Sequence, residues 1–264
     1  MRIVGLSFLA LFIIFLYGPM FAIITLSLQG PEGGLTFPMR GLSWHWILDL
    51  FKEQRVGDFQ GAFLRSLGLG LLVSVLTVVI SYMAGLAFRR DFWGSTALFY
   101  FTVASLIVPS ILVSLGVGFI FSNLGWETMW YSSALGAHLT WTLPFGVLIM
   151  FAVLNRFDPS YEEAARDLGA SAWQVQRHVL IPMLMPSLIG IALFGFTLSF
   201  DEFARTLLAA GVKQTLPLEI FGMTTTVTTP TLYALGTVTT VVSFSVILIS
   251  LAVISVLERR RTHG

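Results

Sequence analysis

An all-α integral-membrane protein with six transmembrane helices is the fold class this sequence predicts, on three observations. The first is composition: 56% of the 264 residues are hydrophobic and 11% are charged, whereas a soluble domain carries about 25% charged residues. Mean hydropathy is +0.85. The second is spacing. Charge-free intervals run over 3–30, 66–88, 92–126, 128–155, 178–200 and 220–257, each of at least 23 residues. About 20 apolar residues suffice for a helix to cross a hydrocarbon core of about 30 Å. The third is that the ten-residue alternating segments of a membrane barrel are missing. Backbone groups in hydrocarbon must then bond within their own segment, as helices do.

The first interval follows Arg2 and has the look of a signal peptide, but Ile3 to Gly30 is 28 residues without a charge and ends in no small-x-small site. It reads as a retained anchor. The outer loop 31–62 opens with Pro31, Gly33, Gly34 and Pro38 and continues into a short amphipathic stretch, Ser43 to Glu53, carrying Trp44 and Trp46. Tryptophan favours the membrane interface, so anchoring is the first reading and solute contact the alternative. The intervals 92–126 and 220–257 exceed one crossing and include loop. Pro109, Pro144, Pro182 and Pro186 lie in or beside spans and permit kinks. Gly68, Gly70, Gly85, Gly116, Gly118, Gly190 and Gly195 permit close helix contacts. No repeat is visible, and the strongest local bias is the threonine-rich stretch 224–231.

Arginine and lysine set the orientation. With both termini in the cytoplasm, Arg2, Arg89, Arg90, Arg156, Arg166, Arg177, Arg259, Arg260 and Arg261 lie inside, and Arg40, Lys52, Arg55, Arg65 and Lys213 outside. Arg205 falls in or near the fifth span. This places 155–183 in the cytoplasm.

That segment is the most informative in the chain. Asp158-Pro159 supplies an N-cap followed by a proline at the first helical position; a rival start is Ser160 with Glu163 as a capping box. The helix stops at Gly169, which can take the left-handed conformation. A second helix starts at Ser171, with Gln174 completing a capping box, and runs to about Leu180 before Pro182. Asp158, Glu162 and Glu163 sit near the first helix's positive end, and Ala164-Ala165 leaves a small-residue face on which a partner can approach closely. An ordinary surface connector is the alternative.

The spacing Glu163-Ala164-Ala165, three residues, Gly169, nine residues, then Val179-Leu180-Ile181-Pro182 resembles the EAA loop of ABC-transporter permeases. Leu143-Pro144-Phe145, Ser199-Phe200-Asp201-Glu202-Phe203 and Leu216-Pro217-Leu218-Glu219-Ile220 look like the spermidine/putrescine-type subgroup, over roughly residues 60–257. The resemblance implies a type I ABC importer permease fold: 1–58 the first helix and outer loop, 59–258 a permease core with the coupling loop 155–183, and 259–264 a cytoplasmic tail. It implies a bacterial inner-membrane location. The implied partners are two ATPase subunits, a second permease subunit that is a different chain, and a periplasmic or extracellular solute-binding protein. It also implies that Glu162, Glu163, Ala164, Ala165, Asp167, Gly169 and Pro182 couple the chain to the ATPase, with ATP and Mg bound by that ATPase and no cofactor in this chain.

Ionisable residues within spans are functional candidates. Here these are Asp201 and Glu202, with Arg205 close by, and His138. The acids suit an amine-bearing solute; alternatively Arg205, spaced i,i+4 from Asp201 and i,i+3 from Glu202, neutralises one of them. His138 reads more readily as an interhelical hydrogen-bonder than as part of the path. Polyamine-type permeases often carry an acid after the third-span proline; here Pro109 is followed by Ser110, which takes that place as a candidate on the substrate path. The solute is therefore a polyamine or related small amine, or else an amino acid or opine-like molecule. A net charge of +1 without a basic patch argues against nucleic acid, and the absence of cysteine removes disulfides and thiolate metal sites. There is no G-x-x-x-x-G-K-[ST] loop and no H-E-x-x-H, so an enzyme role is not indicated. A transporter or channel working without an ATPase remains the alternative from another class.

Overall fold

The computed structural model describes residues 2–52, 58–226 and 229–262. Glu53 and Arg55 of the outer loop, two residues of the threonine-rich stretch, and the end of the tail lie outside the described residues. The helices are α1 (Arg2–Ser27), α2 (His45–Asp49), α3 (Phe59–Phe88), α4 (Ser95–Ala104), α5 (Ser110–Asn123), α6 (Ser133–Leu154), α7 (Ser160–Asp167), α8 (Ala172–Val175), α9 (Ile181–Phe200), α10 (Leu216–Thr226) and α11 (Thr231–Thr262). Among the described residues there is no strand, only an isolated bridge between Gln29 and Leu42.

Among the described residues five stretches are long and apolar enough to cross a membrane: Val4–Ser27, Phe59–Phe88, Ser133–Leu154, Ala172–Phe200 and Thr231–Val253. The interval 92–126, expected as one crossing with loop, instead forms two shorter apolar helices, α4 and α5. The break has a local cause. Pro109 adopts φ −55°, ψ 131° at the start of α5; it offers no N–H and pushes the preceding residue out of the helical region. Ser105 braces the break by donating to the Thr140 carbonyl of α6 at 3.1 Å.

The chain divides into two compact units, Met1–Phe63 with Pro217–Ser245, and Leu64–Leu216 with Val246–Gly264. In the first, α1 exposes apolar side chains along its length (Phe8 is 71% exposed and Phe15 80%), as a lipid-facing helix does. Gln29, fully buried just after α1, organises the outer loop: its Nε2 donates to the Gly34 carbonyl at 2.7 Å, and its Oε1 accepts the Arg40 N–H at 2.8 Å. The Trp46 indole donates to the Gly30 carbonyl at 3.4 Å, while Trp44 stays exposed. Tyr233 donates to the Leu35 carbonyl at 2.7 Å, and Glu219 accepts the Asp58 N–H at 2.9 Å.

In the second unit α6 and α9 build the core from Met150, Leu154, Leu184, Leu188 and Ile191, with Val78, Tyr82 and Leu86 of α3 packed against it. Because lipid is as apolar as leucine, such packing relies on close fit and interhelical hydrogen bonds. Both are present. Thr77 and Thr142 share a hydrogen bond of 2.8 Å, and Ser74 donates to the Ala192 carbonyl at 2.8 Å. Gly146 is the tightest of the glycines within helices: a Cβ there would lie 2.2 Å from Ser81 Oγ. Gly146→Leu should therefore cost about 1–3 kcal/mol, as overpacking does, and lower the melting temperature of the purified chain in detergent. An unchanged melting temperature would show that α3 and α6 are not this close.

Candidate functional site

The polar elbow between α6 and α9 folds as two capped helices. Asp158 Oδ1 accepts the Ser160 N–H at 2.9 Å, and this bond holds the carboxyl below the usual carboxylate range. A lowered folded-state value means the cap is intact at neutral pH and is lost as pH falls through that value. Both expected starts are shifted by one residue: α7 opens at Ser160 with Pro159 at the cap position and no side-chain cap there, and Asp158 holds the start from one residue further out. At the other end Gly169 has φ +86°. The Ala170 N–H reaches the Ala165 carbonyl at 3.0 Å and the Gly169 N–H the Arg166 carbonyl at 2.8 Å. This pair of bonds is a Schellman motif, which favours glycine at the left-handed position.

α7 has two unlike faces. Glu162 points inward and is only 7% exposed; Arg89 Nη1, at the end of α3, lies 2.5 Å from its Oε1, and Arg166 Nη2 lies 3.4 Å from its Oε2. Arg89 also lies over the Phe157 ring, 5.9 Å from its centroid. Glu163, Ala164, Asp167 and Gly169 face outward, with Ala165 half-buried. Leu168, unremarkable in the sequence, is 90% exposed. A leucine before a helix-ending glycine in an otherwise polar run was the available signal. It borders a shallow 320 Å³ depression with Ala165, Gly169, Gln174 and His178. A second depression of 510 Å³ is lined by Arg89, Arg90, Glu162, Glu163 and Arg166.

Both halves of the capping box at α8 are present: the Gln174 N–H reaches Ser171 Oγ at 3.4 Å, and the Ser171 N–H reaches Gln174 Oε1 at 2.7 Å. The expected stop near Leu180 does not occur. Residues Gln176–Leu180 form a π turn that runs directly into α9, giving one stretch from Ala172 to Phe200. Pro182 has no N–H to return to the preceding turn, and the wider turn absorbs that mismatch. Tyr82 donates to Gln176 Oε1, tying this turn to α3.

The second candidate region lies just beyond α9. Asp201 is exposed and Glu202 half-buried. Pairing with Arg205 is not what forms. α9 ends at Phe200, so helical spacing does not govern residues 201–205, and among the described residues no ion pair joins Arg205 to either acid. Glu202 Oε1 instead accepts the Arg205 backbone N–H at 2.9 Å. The Arg205 side chain is fully buried. Its guanidinium lies over the Trp141 ring at 4.5 Å, its Nη1 donates to Ser110 Oγ at 2.9 Å, and its Nε reaches Thr140 Oγ1 at 3.4 Å. His138 is buried with both ring nitrogens engaged, by Ser199 Oγ at 2.7 Å and Thr206 Oγ1 at 2.8 Å. It fastens α6 to the end of α9 and the adjoining loop. Ser114 Oγ accepts the Leu208 N–H at 2.8 Å, and Ser133 donates to the Ala209 carbonyl at 2.6 Å. Single hydroxyls of this kind carry no sequence signal. Among the described residues no three of His, Asp and Glu gather as a metal site.

Residues 77–263 match the family model described as binding-protein-dependent transport system inner membrane component. The spermidine/putrescine transport system permease protein PotC of Haemophilus influenzae is 28% identical over 251 residues, 94% of each chain. Its namesake in Escherichia coli is 26% identical over 100% of this chain and 97% of that protein. The putrescine transport system permease protein PotI of Escherichia coli is 27% identical over 84% of this chain and 80% of the relative. A chain of a bacterial ABC transporter involved in the import of alginate superposes with a TM-score of 0.70 at 14% identity, over 98% of this chain and 94% of that one. For the MetNI methionine ABC transporter the TM-score is 0.57 at 16% identity, over 75% and 95%. These structural likenesses speak to the fold.

The Arg89–Glu162 pair makes a measurable claim. A hydrogen bond to a charged group is worth about 1.5–3 kcal/mol, so Glu162→Gln or Arg89→Met should speed amide exchange across 160–168 by about one to two orders of magnitude. The double variant should add little to either single one. Unchanged exchange in both would mean that the pair does not hold α7.

Proposed function

Because this chain belongs to the family of binding-protein-dependent transport system inner membrane components, we propose that it is a membrane-spanning subunit of an ATP-driven importer, with α7 its handle for the ATPase. The family is one of transport components rather than enzymes, and its members are multi-pass proteins of the inner membrane. The observation that carries the proposal is the division of labour on α7: one charged side chain locked inward to α3, and a small, exposed outward face ending in Leu168 and a left-handed Gly169.

In this reading both termini lie in the cytoplasm, as the arginine distribution indicates, and two ATPase subunits bind ATP and Mg. A second permease of different sequence completes the pore, and an external binding protein delivers solute. Closure of the ATPases pushes α7. Because Glu162 and Gln176 both bond to α3, the push reaches α3 and α9 together rather than bending a loop.

The solute proposed is a polyamine or a related small amine-bearing molecule. Two things support it. The relatives named above are spermidine/putrescine and putrescine permeases, and the carboxylates of Asp201 and Glu202 are not consumed by an ion pair with Arg205. An amino acid or opine-like solute is the second reading, favoured by Ser110 standing where an acid is expected. An ATPase-independent channel would leave the outward face of α7 without a task.

Gly169→Val places a β-branched residue at a positive φ, which only glycine adopts readily. In the assembled transporter it should lower solute uptake at least about tenfold, for a loss above 1.4 kcal/mol, either by releasing the ATPase or by leaving hydrolysis uncoupled. Glu163→Lys should act in the same direction. Normal uptake with the ATPase still bound would rule out this mechanism. Asp201→Asn combined with Glu202→Gln should depress uptake of a diamine such as putrescine while ATPase binding is unchanged.

A further inference from the structure

Arg205 is out of place in a path for amines. It is fully buried, and a buried charge is costly unless it is paired. Ser110, Thr140 and the Trp141 ring engage three sides of the guanidinium, yet none of them carries a negative charge. Stacking on tryptophan returns only about 2 kcal/mol for a desolvated cation. The remaining nitrogen, Nη2, is buried with no hydrogen-bond partner. Glu202 has one oxygen on the Arg205 backbone N–H, and its charge acts on the guanidinium only from beyond ion-pair distance, so the pairing is incomplete.

The guanidinium meets the first residue of α5, whose opening turn has no side-chain cap. The first amides of a helix lack intrahelical partners and carry the positive end of its dipole, so two positive features converge on Ser110. The Ser110 hydroxyl accepts from Arg205 Nη1, which leaves its own proton free to donate. Ser110 is half-buried, beside the exposed Ile107, Val108 and Ile111 at the α4–α5 break. The Leu112 N–H is taken by the Pro109 carbonyl at 3.0 Å, so a group approaching this face meets the Ser110 hydroxyl and the amides of Ser110 and Ile111, with a buried positive charge behind them. That arrangement receives an oxyanion.

We propose that Ser110, the start of α5 and Arg205 form a receptor for an acidic group on the solute, so that this chain moves molecules bearing both an amine and an oxyacid rather than simple polyamines. Asp201 and Glu202, beyond α9, take the amine end. The inference rests on the importer reading and, of its two solute readings, takes the second, amino acids in the broad sense, carboxylic or phosphonic, by assigning the site that would receive the acid.

The test is ATP-driven uptake into proteoliposomes by the assembled transporter with its binding protein. Three labelled probes are used: putrescine, 4-aminobutyrate and 3-aminopropylphosphonate. Uptake of one of the two acids should exceed that of putrescine by about tenfold or more. Arg205→Met should reduce that ratio by at least about tenfold, because the acid loses its charge partner. Ser110→Asp gives the guanidinium a carboxylate within the chain; it should lower the ratio equally without removing the arginine, which guards against a simple folding defect. Putrescine moving faster than both acids, no uptake of either acid, or a ratio unmoved by both variants would each overturn the proposal. So would failure of both Arg205→Met and Ser110→Asp to assemble with the second permease, because the anion that Arg205 awaits would then belong to that subunit. Uptake that persists without ATP would instead count against the importer reading.

Discussion

Everything the elbow can transmit depends on the bond between Glu162 and Arg89. A short helix joined to its neighbours only by flexible chain would swing freely when pushed, and the spans would stay where they are. The 2.5 Å contact to the residue that follows α3, screened by burial of Glu162, fixes α7 to α3, as the proposed coupling requires. Surface ion pairs contribute little, but this one is largely removed from water and is supported by Arg166 and by the Phe157 ring. The side chains of Glu163, Ala164 and Asp167 are then exposed and take no part in the bonds that hold the helix, while Gly169 closes it.

The far end of α9 is held by side-chain hydrogen bonds rather than by an ion pair. Ser114 and Ser133 each pin the loop after Phe200 through one hydrogen bond, and His138 ties both the end of α9 and that loop to α6 through two. In a low-dielectric setting each such bond is strengthened, and an unmade one is costly. The loop is thus set in register with the α4–α5 break, which brings Arg205 against Ser110. Elbow and polar cluster lie at opposite ends of α9, one helix whose π turn begins beside Tyr82 and whose last residues meet His138.

Much of this was legible in the residues. Charge-free intervals located the crossings because a single charge in hydrocarbon is costly enough to punctuate a sequence. Gly169 and the Ser171–Gln174 box announced the elbow because cap chemistry is local. Three things were hidden. The break at Pro109 sits inside an interval with no charge to mark it. The π turn at Gln176–Leu180 made Pro182 look like a stop, because periodicity does not distinguish a widened turn from an ending. Local spacing assigns Arg205 to its sequence neighbours, yet the partners that hold it, Ser110, Thr140 and Trp141, are 95, 65 and 64 residues away along the chain. Tertiary contacts of that kind leave no trace in a short window of sequence.

The central claim is that the outward face of α7 is the surface an ATPase grips. The chain contains no cysteine, so a single introduced thiol reports one position. With Leu168→Cys carrying a short photo-crosslinker in the assembled transporter, the account predicts a dominant crosslink to the ATPase subunit that changes in yield when ATP binds. A crosslink-free ATPase from Leu168→Cys, with efficient labelling of the same thiol from outside intact cells, would contradict it.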